Sequence, residues 1–268
     1  MTLVNDLWTY RGLVGNLAQR ELKAKYKRSV LGWAWSLINP ATTLAIYAVV
    51  FGVLLKVQPP VAGNGTLKSF ALYLFAGLVI WNFFQAVATG AMSSLIGAGP
   101  LLKKVFFPAE CAPAANLLVA MSQSAIEASI LVGILIVVGN ASVTMLMVPV
   151  LLVLLAVFSF GVGLVLSVAN VYYRDVNYLV AVLLNLLFYA TPIVYPESLV
   201  KDRGPLLIQW AVAINPLNHF VEAIRSSVYA LQWPSAIDML ILLVFSFGTF
   251  LLGWAVFHHF GSRISEEI

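Results

Sequence analysis

Four stretches of the chain, residues 69–102, 128–173, 176–196 and 239–262, contain no Asp, Glu, Lys or Arg. Their apolar residues do not alternate with polar ones, which excludes a transmembrane β-barrel. A helix needs about 20 mainly apolar residues to cross the hydrocarbon core of a bilayer. A buried helix of a soluble protein explains one such run but not four. The pattern predicts six spans, at about Trp33–Leu55, Phe70–Ile96, Ala112–Val138, Val143–Asn170, Val176–Tyr195 and Met239–Phe260. Pro59, Pro60, Gly63 and Gly65 end the first, a tight turn at Gly139-Asn140 joins the third to the fourth, and Arg174-Asp175 precedes the fifth.

Two apolar pieces between the last spans, Leu206–Ile214 and Phe220–Leu231, are too short to cross. They are separated by Asn215-Pro216 and interrupted by Glu222 and Arg225. They are expected to dip into the membrane and return. Ahead of the first span, Leu3, Leu7, Tyr10, Val14 and Leu17 recur at spacings of 4, 3, 4 and 3, the stripe of an amphipathic helix lying at the membrane surface. The fold expected is an all-α integral membrane protein in a single domain, residues 1–268. It has six transmembrane helices, an N-terminal interface helix (1–31), a connecting loop (97–110) and two re-entrant helices (196–235) before the last span.

Composition agrees, with 61% apolar and only 10% charged residues, where soluble domains carry about 25% charged. The net charge of +4 is concentrated near the N-terminus and points to orientation in a membrane rather than to nucleic acid. Ten of the 15 Lys and Arg residues fall on the side of the termini, including Lys103, Lys104, Arg174 and Arg263. Five fall on the other side: Lys56, Lys68, Lys201, Arg203 and Arg225. The positive-inside rule therefore puts both termini in the cytoplasm. Trp33, Trp35, Tyr195 and Trp233 near span ends suit an interfacial belt. The first 30 residues are polar and basic with no signal-peptide pattern, so the first span is expected to be retained. Cys111 is the one cysteine and can form no intramolecular disulfide.

Little in the sequence suggests covalent chemistry. The string Gly97-Ala98-Gly99-Pro100-Leu101-Leu102-Lys103-Lys104 lacks the second Gly directly before Lys-Ser/Thr that a phosphate-cradling loop needs. No paired His/Cys spacing suggests a metal, and His258-His259 at a span end reads as an interfacial pair. No metal or cofactor is therefore expected in this chain, and work would draw its energy from another chain. Glu127 is the one acid well inside a predicted span, where a charge costs at least about 2.5–3.5 kcal/mol. Asn116, Gln123 and Glu127, at spacings of 7 and 4, share a helix face. Two readings stand: a neutral, hydrogen-bonded Glu between helices, or a polar lining of a path. Tyr47 with Phe51, and Phe188 with Tyr189, are aromatic pairs that read as ordinary packing or as the lining of a path. Ser159, Gly163 and Ser167 form a small-xxx-small ladder for close helix contact, with the facing helix left open. The basic cluster Arg20, Lys23, Lys25, Lys27 and Arg28 reads as a topological anchor touching anionic lipid, or as an attractor of phosphate.

The order of these features resembles the ABC-2 type permeases that export O-antigen, capsule, teichoic acid and actinobacterial galactan, the Wzm-like family. The likeness covers nearly the whole chain. Ser29-Val30-Leu31-Gly32-Trp33 looks like the family's Leu-Gly loop at the cytoplasmic entrance, and Tyr173-Arg174-Asp175-Val176 is similar to its Arg-Asp junction. The resemblance implies a substrate entrance at Arg20, Lys23, Lys27, Arg28, Leu31 and Gly32, where a polyprenyl-pyrophosphate-linked polysaccharide such as galactan or O-antigen would be received. It implies a coupling segment at Lys103, Lys104, Phe106 and Pro108, and a path lined by Tyr47, Phe51, Glu127, Phe188 and Tyr189. An external gate would include Asn215, Pro216, Glu222 and Arg225. It further implies a homodimer in the bacterial cytoplasmic membrane with two copies of a separate ATPase subunit, which would bind ATP and Mg. Rival readings are an exporter of a drug or small lipid, a passive channel, and a membrane-embedded glycosyl or prenyl transferase. The last would need clustered acids, and Asp6, Glu110 and Asp175 lie far apart in sequence.

Overall fold

The computed structural model describes residues 7–25, 27, 29–56, 60–105, 107–197, 199–200 and 204–267, and only the backbone of 262–267. Every regular element among the described residues is helical. Helix α1 is Arg11–Lys25. A 3-10 turn, Gly32–Ala34, leads into α2, Trp35–Tyr47, which continues as a π-helical segment, Ala48–Leu54. There follow α3 (Phe70–Leu102), α4 (Cys111–Val137), α5 (Met147–Tyr172), α6 (Val176–Ala190), α7 (Leu206–Ile214), α8 (Pro216–Val228) and α9 (Ala236–Glu267).

Five helical stretches are long and apolar enough to cross a membrane: Gly32–Leu54, Phe70–Leu102, Cys111–Val137, Val143–Tyr172 and Ala236–Gly261. Helix α6 has only 15 residues, about 22 Å of helix. It nevertheless runs along most of α3. Asn177 and Tyr178 at its start share a cavity with Ser93, Ile96 and Gly97 near the end of α3. Pro192 and Ile193 just beyond it share a hydrogen-bond partner with Tyr73 near the start of α3. The bundle therefore has two ends. One, the α1 end, holds α1, the C-termini of α3 and α5 and the N-termini of α4 and α6; the other is the far end.

Helix α3 is the axle, in contact with α2, α4, α5, α6 and α8. Its first three turns, Phe70–Trp81, are apolar on every face and wholly buried, as expected of a segment without a polar side. The Ser69 hydroxyl caps it by accepting from the Leu72 N–H at 3.5 Å. The helix extends past Ile96 to Leu102, so part of the expected 97–110 loop is helical. Pro100 does not stop it earlier, because a proline in the last turn forfeits one backbone bond just before the helix ends.

The small-residue ladder of α5 faces α3 of the same chain: a Cβ on Gly163 would stand 3.0 Å from that of Ala91. A closer contact lies elsewhere on α5. A Cβ on Gly253 would strike the backbone of Gly161, and one on Gly161 would strike the backbone of Thr249 and Phe250. Two hydroxyls fasten the same α5–α9 seam, Ser246 Oγ donating to the Leu154 carbonyl at 2.9 Å and Thr249 Oγ1 to that of Phe158 at 3.4 Å.

The far end is woven from loops around α8. Gly139 takes a φ of +77°, which turns the chain after α4 and delivers Asn140. The Asn140 amide donates to the Val228 and Tyr229 carbonyls at 2.9 and 3.1 Å. The Tyr229 hydroxyl donates to the Pro60 carbonyl at 3.0 Å and accepts from the Ser69 N–H at 3.2 Å. Helix α8 starts at Pro216 rather than near Phe220. Asn215 caps it by accepting from the Leu217 N–H at 3.0 Å, and Pro216 occupies the first turn, where its missing N–H costs nothing. The Asn-Pro pair that reads as a break between two pieces is thus the start signal of the second.

Candidate functional site

At the α1 end, the stripe of α1 is covered by the protein itself. Val14, Leu17 and Ala18 are buried in a cluster with Leu95, Phe107, Cys111, Ala115 and Leu164, and Leu7 and Tyr10 pack at its edge. Leu3, the first residue of the predicted stripe, lies outside the described residues. The other face of α1 is basic: Asn16, Gln19, Arg20, Lys23, Ala24 and Lys27 line an open cavity of about 610 Å³. Helix α1 ends at Lys25, so Lys27 lies in the turn beyond it rather than one helical turn from Lys23, yet both border the same space. Arg28 lies outside the described residues. Leu31 is exposed, and Gly32 has a φ of +51°. That left-handed conformation is strained for a β-branched side chain, which ties the turn between α1 and α2 to glycine.

Glu21, half-buried on α1, has its pKa raised by burial, with Arg20 opposing. The folded state therefore holds the Glu21 proton more firmly than the unfolded chain does. This contributes stability that is present at low pH and is lost as pH rises through the raised value. Glu21→Gln, which cannot ionise, is expected to raise the thermal midpoint slightly at neutral pH, with the gain vanishing as pH is lowered into the carboxylate range. Thermal unfolding of the two proteins across pH checks this.

The basic turn after α3 exposes Lys103 and Lys104. Its base is fixed by buried Phe107 and by Pro108, whose carbonyl accepts from the Cys111 N–H at 3.0 Å. Phe106 lies outside the described residues.

Glu127 is buried where α2, α3 and α4 meet. It accepts from the Asn82 amide at 3.2 Å and the Gln123 amide at 3.4 Å. Gln123 also donates to the Ser36 carbonyl at 3.3 Å. Asn116, grouped with these two by spacing, sits apart against Gly90. Asn82 and Ser36, on other helices, had no signal in the sequence. Tyr47 and Phe51 have ring centroids 5.8 Å apart and are half-buried, Phe51 continuing onto Phe70 at 4.9 Å. The second pair stays in edge-to-face contact at 5.2 Å but differs in burial: Phe188 also packs on Trp81 at 5.2 Å, whereas Tyr189 is 70% exposed. Adjacent helix positions point about 100° apart, so one ring turns inward and its neighbour outward.

The far-end residues form the most tightly bonded group. Arg225 is only 2% exposed. It donates to the carbonyls of Pro192 at 2.7 Å, Ile193 at 2.7 Å and Tyr73 at 3.3 Å, and to the Glu222 carboxylate at 3.0 Å. The Tyr73 ring lies 3.9 Å beneath the guanidinium. Asn215 donates to Thr191 Oγ1 at 2.8 Å. Arg225 thus binds the turn after α6 to the start of α3 and to α8. The sequence places it by charge on the side away from the termini and, by resemblance, in the external gate; its burial and its bonds to the backbone had no signal there. The Pro192 and Ile193 carbonyls of the turn after α6 need donors, and a planar guanidinium reaches both and the Tyr73 carbonyl of α3 at once. Beside it, Pro60, Tyr73, Pro196, Glu197, Glu222 and Arg225 border a cleft of about 420 Å³.

These features describe a helical membrane protein: a bundle with a basic helix folded onto one end and a hydrogen-bonded cap at the other. Residues 13–229 match the ABC-2 type transporter family, and the chain belongs to it. The chain is 29% identical over 265 residues to the O-antigen export system permease protein RfbA of Myxococcus xanthus, covering 98% of this chain and 97% of that protein. It is 27% identical over 256 residues to a protein of the same name from Klebsiella pneumoniae, covering 93% and 92%. It is also 21% identical over 245 residues to the polysialic acid transport protein KpsM of Escherichia coli, covering 89% of each.

Proposed function

We propose that this permease carries a lipid-linked polysaccharide across the bacterial cytoplasmic membrane, driven by a separate ATPase subunit. The chain crosses six times with both termini in the cytoplasm, α6 being the short fifth crossing and α7–α8 the re-entrant pair. The observation that carries the reading is the basic cavity at Arg20, Lys23 and Lys27 on the uncovered face of α1, shortly before the Gly32 bend into α2 in the chain. A pyrophosphate held at headgroup depth is multiply anionic and suits that face. The near full-length similarity to permeases named for O-antigen export supports polysaccharide as cargo.

The exposed turn at Lys103 and Lys104 is the docking point for the ATPase, and the buried anchors Phe107 and Cys111 transmit its movement to α3 and α4. Helix α2 with its π-helical continuation and the outer face of α6 are the least covered, with Ile46, Val49 and Val53 exposed on one and Leu179, Val182, Leu183 and Leu186 on the other. Two copies meeting along these faces, each with its own ATPase, would enclose the path between them. No chemistry is performed on the cargo; ATP and Mg belong to the partner.

Replacing Lys23 and Lys27 together with Gln is expected to lower export severalfold when lipid-linked substrate is scarce, with most of the loss recovered when it is abundant. Surface polysaccharide measured at graded substrate levels tests this, with N-terminal orientation checked in the same cells. Wild-type export at limiting substrate by a correctly oriented double variant would leave the cluster as an anchor alone.

A further inference from the structure

A second polar cavity at the α1 end lies away from the basic face of α1. It holds about 690 Å³ and is bordered by Ser93, Ile96 and Gly97 of α3, Asn170 and Val171 of α5, Arg174, and Asn177 and Tyr178 of α6. Most polar side chains buried in a bundle of this kind have partners. Asn170 does not: it is only 4% exposed, and its Oδ1 accepts no hydrogen bond. Asn170 borders the cavity while its Oδ1 is itself enclosed, so a small turn of the side chain brings this unpaired acceptor to a donor seated there.

The rest of the lining defines that donor's neighbours. Arg174 is the one charged residue among the described lining, and its guanidinium offers a fork suited to phosphate oxygens. The N-terminus of the 15-residue α6 opens at the same place and adds its positive dipole end. Ser93 donates its hydroxyl proton to the Thr89 carbonyl at 2.9 Å, so toward the cavity it acts as an acceptor. Asn177 supplies an amide and Tyr178 an exposed ring. A cation fork beside two hydrogen-bond acceptors suits an anion with further hydroxyl donors better than bare phosphate, whose one or two P–OH groups are its only donors, and better than a neutral sugar, which would leave Arg174 unused.

We propose that this cavity binds a phosphate ester with hydroxyls next to the phosphate, a glycosyl phosphate in shape. Arg174 and the α6 terminus hold the phosphate, and Asn170 Oδ1 and Ser93 Oγ accept from the hydroxyls. Assigning it to the substrate rests on the polysaccharide reading above; the cavity's ligand chemistry does not. The same chemistry has two sources, the saccharide nearest the carrier phosphate or a membrane phospholipid with a hydroxylated headgroup.

The test uses the full-length permease with its ATPase in phosphatidylcholine nanodiscs, titrated with glucose 1-phosphate, glucose and inorganic phosphate. Glucose 1-phosphate is expected to bind at least about tenfold more tightly than either fragment, as loss of a charge-assisted hydrogen bond implies. Arg174→Gln and Asn170→Leu should each weaken it about tenfold. Arg174→Lys, which keeps the charge without the fork, should fall between. Lys23→Gln with Lys27→Gln should leave this affinity unchanged. Asn170→Leu changes a buried position, so Arg174→Gln, on an exposed turn, carries the conclusion should the former unfold.

Repeating the titration with phosphatidylglycerol in the disc separates the sources. Competition assigns the cavity to a lipid headgroup, and its absence assigns it to the saccharide. Equal affinity for glucose 1-phosphate and its fragments, or binding indifferent to Arg174→Gln, overturns the proposal. Binding that behaves as expected in a chain that exports no polysaccharide would sink the transport reading and leave the cavity's chemistry standing.

Discussion

Replacing Arg225 with Ala is expected to destabilise the folded permease by about 3–5 kcal/mol, the largest effect of any single substitution considered. The wild-type side chain satisfies the carbonyls of Tyr73, Pro192 and Ile193 and pairs with Glu222, all at or below 3.3 Å. Alanine leaves those three carbonyls facing a small cavity that a side chain no longer fills. Glu222 is less affected, because its side chain is 34% exposed and can turn to water. Since the carbonyls belong to two elements other than α8, the loss is not confined to α8. The turn after α6 and the start of α3 are released together.

The measurement is thermal unfolding of purified protein, where a drop of about 10 °C or more is expected for a chain of this size. Arg225→Lys should recover little, because one ammonium group cannot present the planar fork that reaches separate carbonyls. A midpoint within a few degrees of wild type for Arg225→Ala would mean the far end is held by other contacts. The Asn140 and Tyr229 bonds would then be the first to reconsider.

The second large effect is expected at Gly253. Here the neighbour is backbone: an added Cβ would meet Gly161 of α5 within the distance real atoms avoid. Flexible side chains can swing away from such a contact, but two packed helices cannot without separating along the seam. Gly253→Leu should therefore cost about 1–3 kcal/mol or more and sharply reduce the yield of folded protein. Gly248 provides an internal control. It lies on the same helix with nothing near its would-be Cβ, so Gly248→Leu should retain wild-type yield and midpoint. Comparable losses from both substitutions would point to a general intolerance of α9 rather than to the α5–α9 contact.

The contrast between these two glycines shows where sequence reading succeeded and where it stopped. The helices were legible because hydrocarbon demands long apolar runs, and runs such as 128–173 leave no alternative. Boundaries were legible where the chain turns on special residues, as at Gly139-Asn140. They were misplaced where one signal has two meanings: Asn215-Pro216 breaks a chain and equally starts a helix, and Pro100 ends one a turn later than its presence suggests. Gly163 was legible as part of a periodic ladder, while Gly161 and Gly253 lie 92 positions apart and show nothing until α5 and α9 are packed.

The candidate sites divide in the same way. The basic face of α1 could be read off because its residues share one helix and one period. Glu127 stood out as a lone acid, but its partners Asn82 and Ser36 come from other helices. Arg225 was read by its charge, whereas its role in the fold depends on carbonyls that every residue possesses. The Asn170 cavity needed three helices to meet, and no spacing announces that.

The central claim, ATP-driven movement of a lipid-linked polysaccharide by this permease, is tested most directly by reconstitution. The permease and its ATPase are placed together in sealed vesicles carrying a lipid-linked oligosaccharide on the ATPase-facing leaflet, and a lectin that cannot cross the bilayer reports glycan on the opposite one. The account predicts that glycan appears there only with ATP and Mg, at a rate that falls when Lys23 and Lys27 are Gln and substrate is dilute. Equal movement without ATP, or ATP hydrolysis with the glycan remaining on its original leaflet, would contradict it.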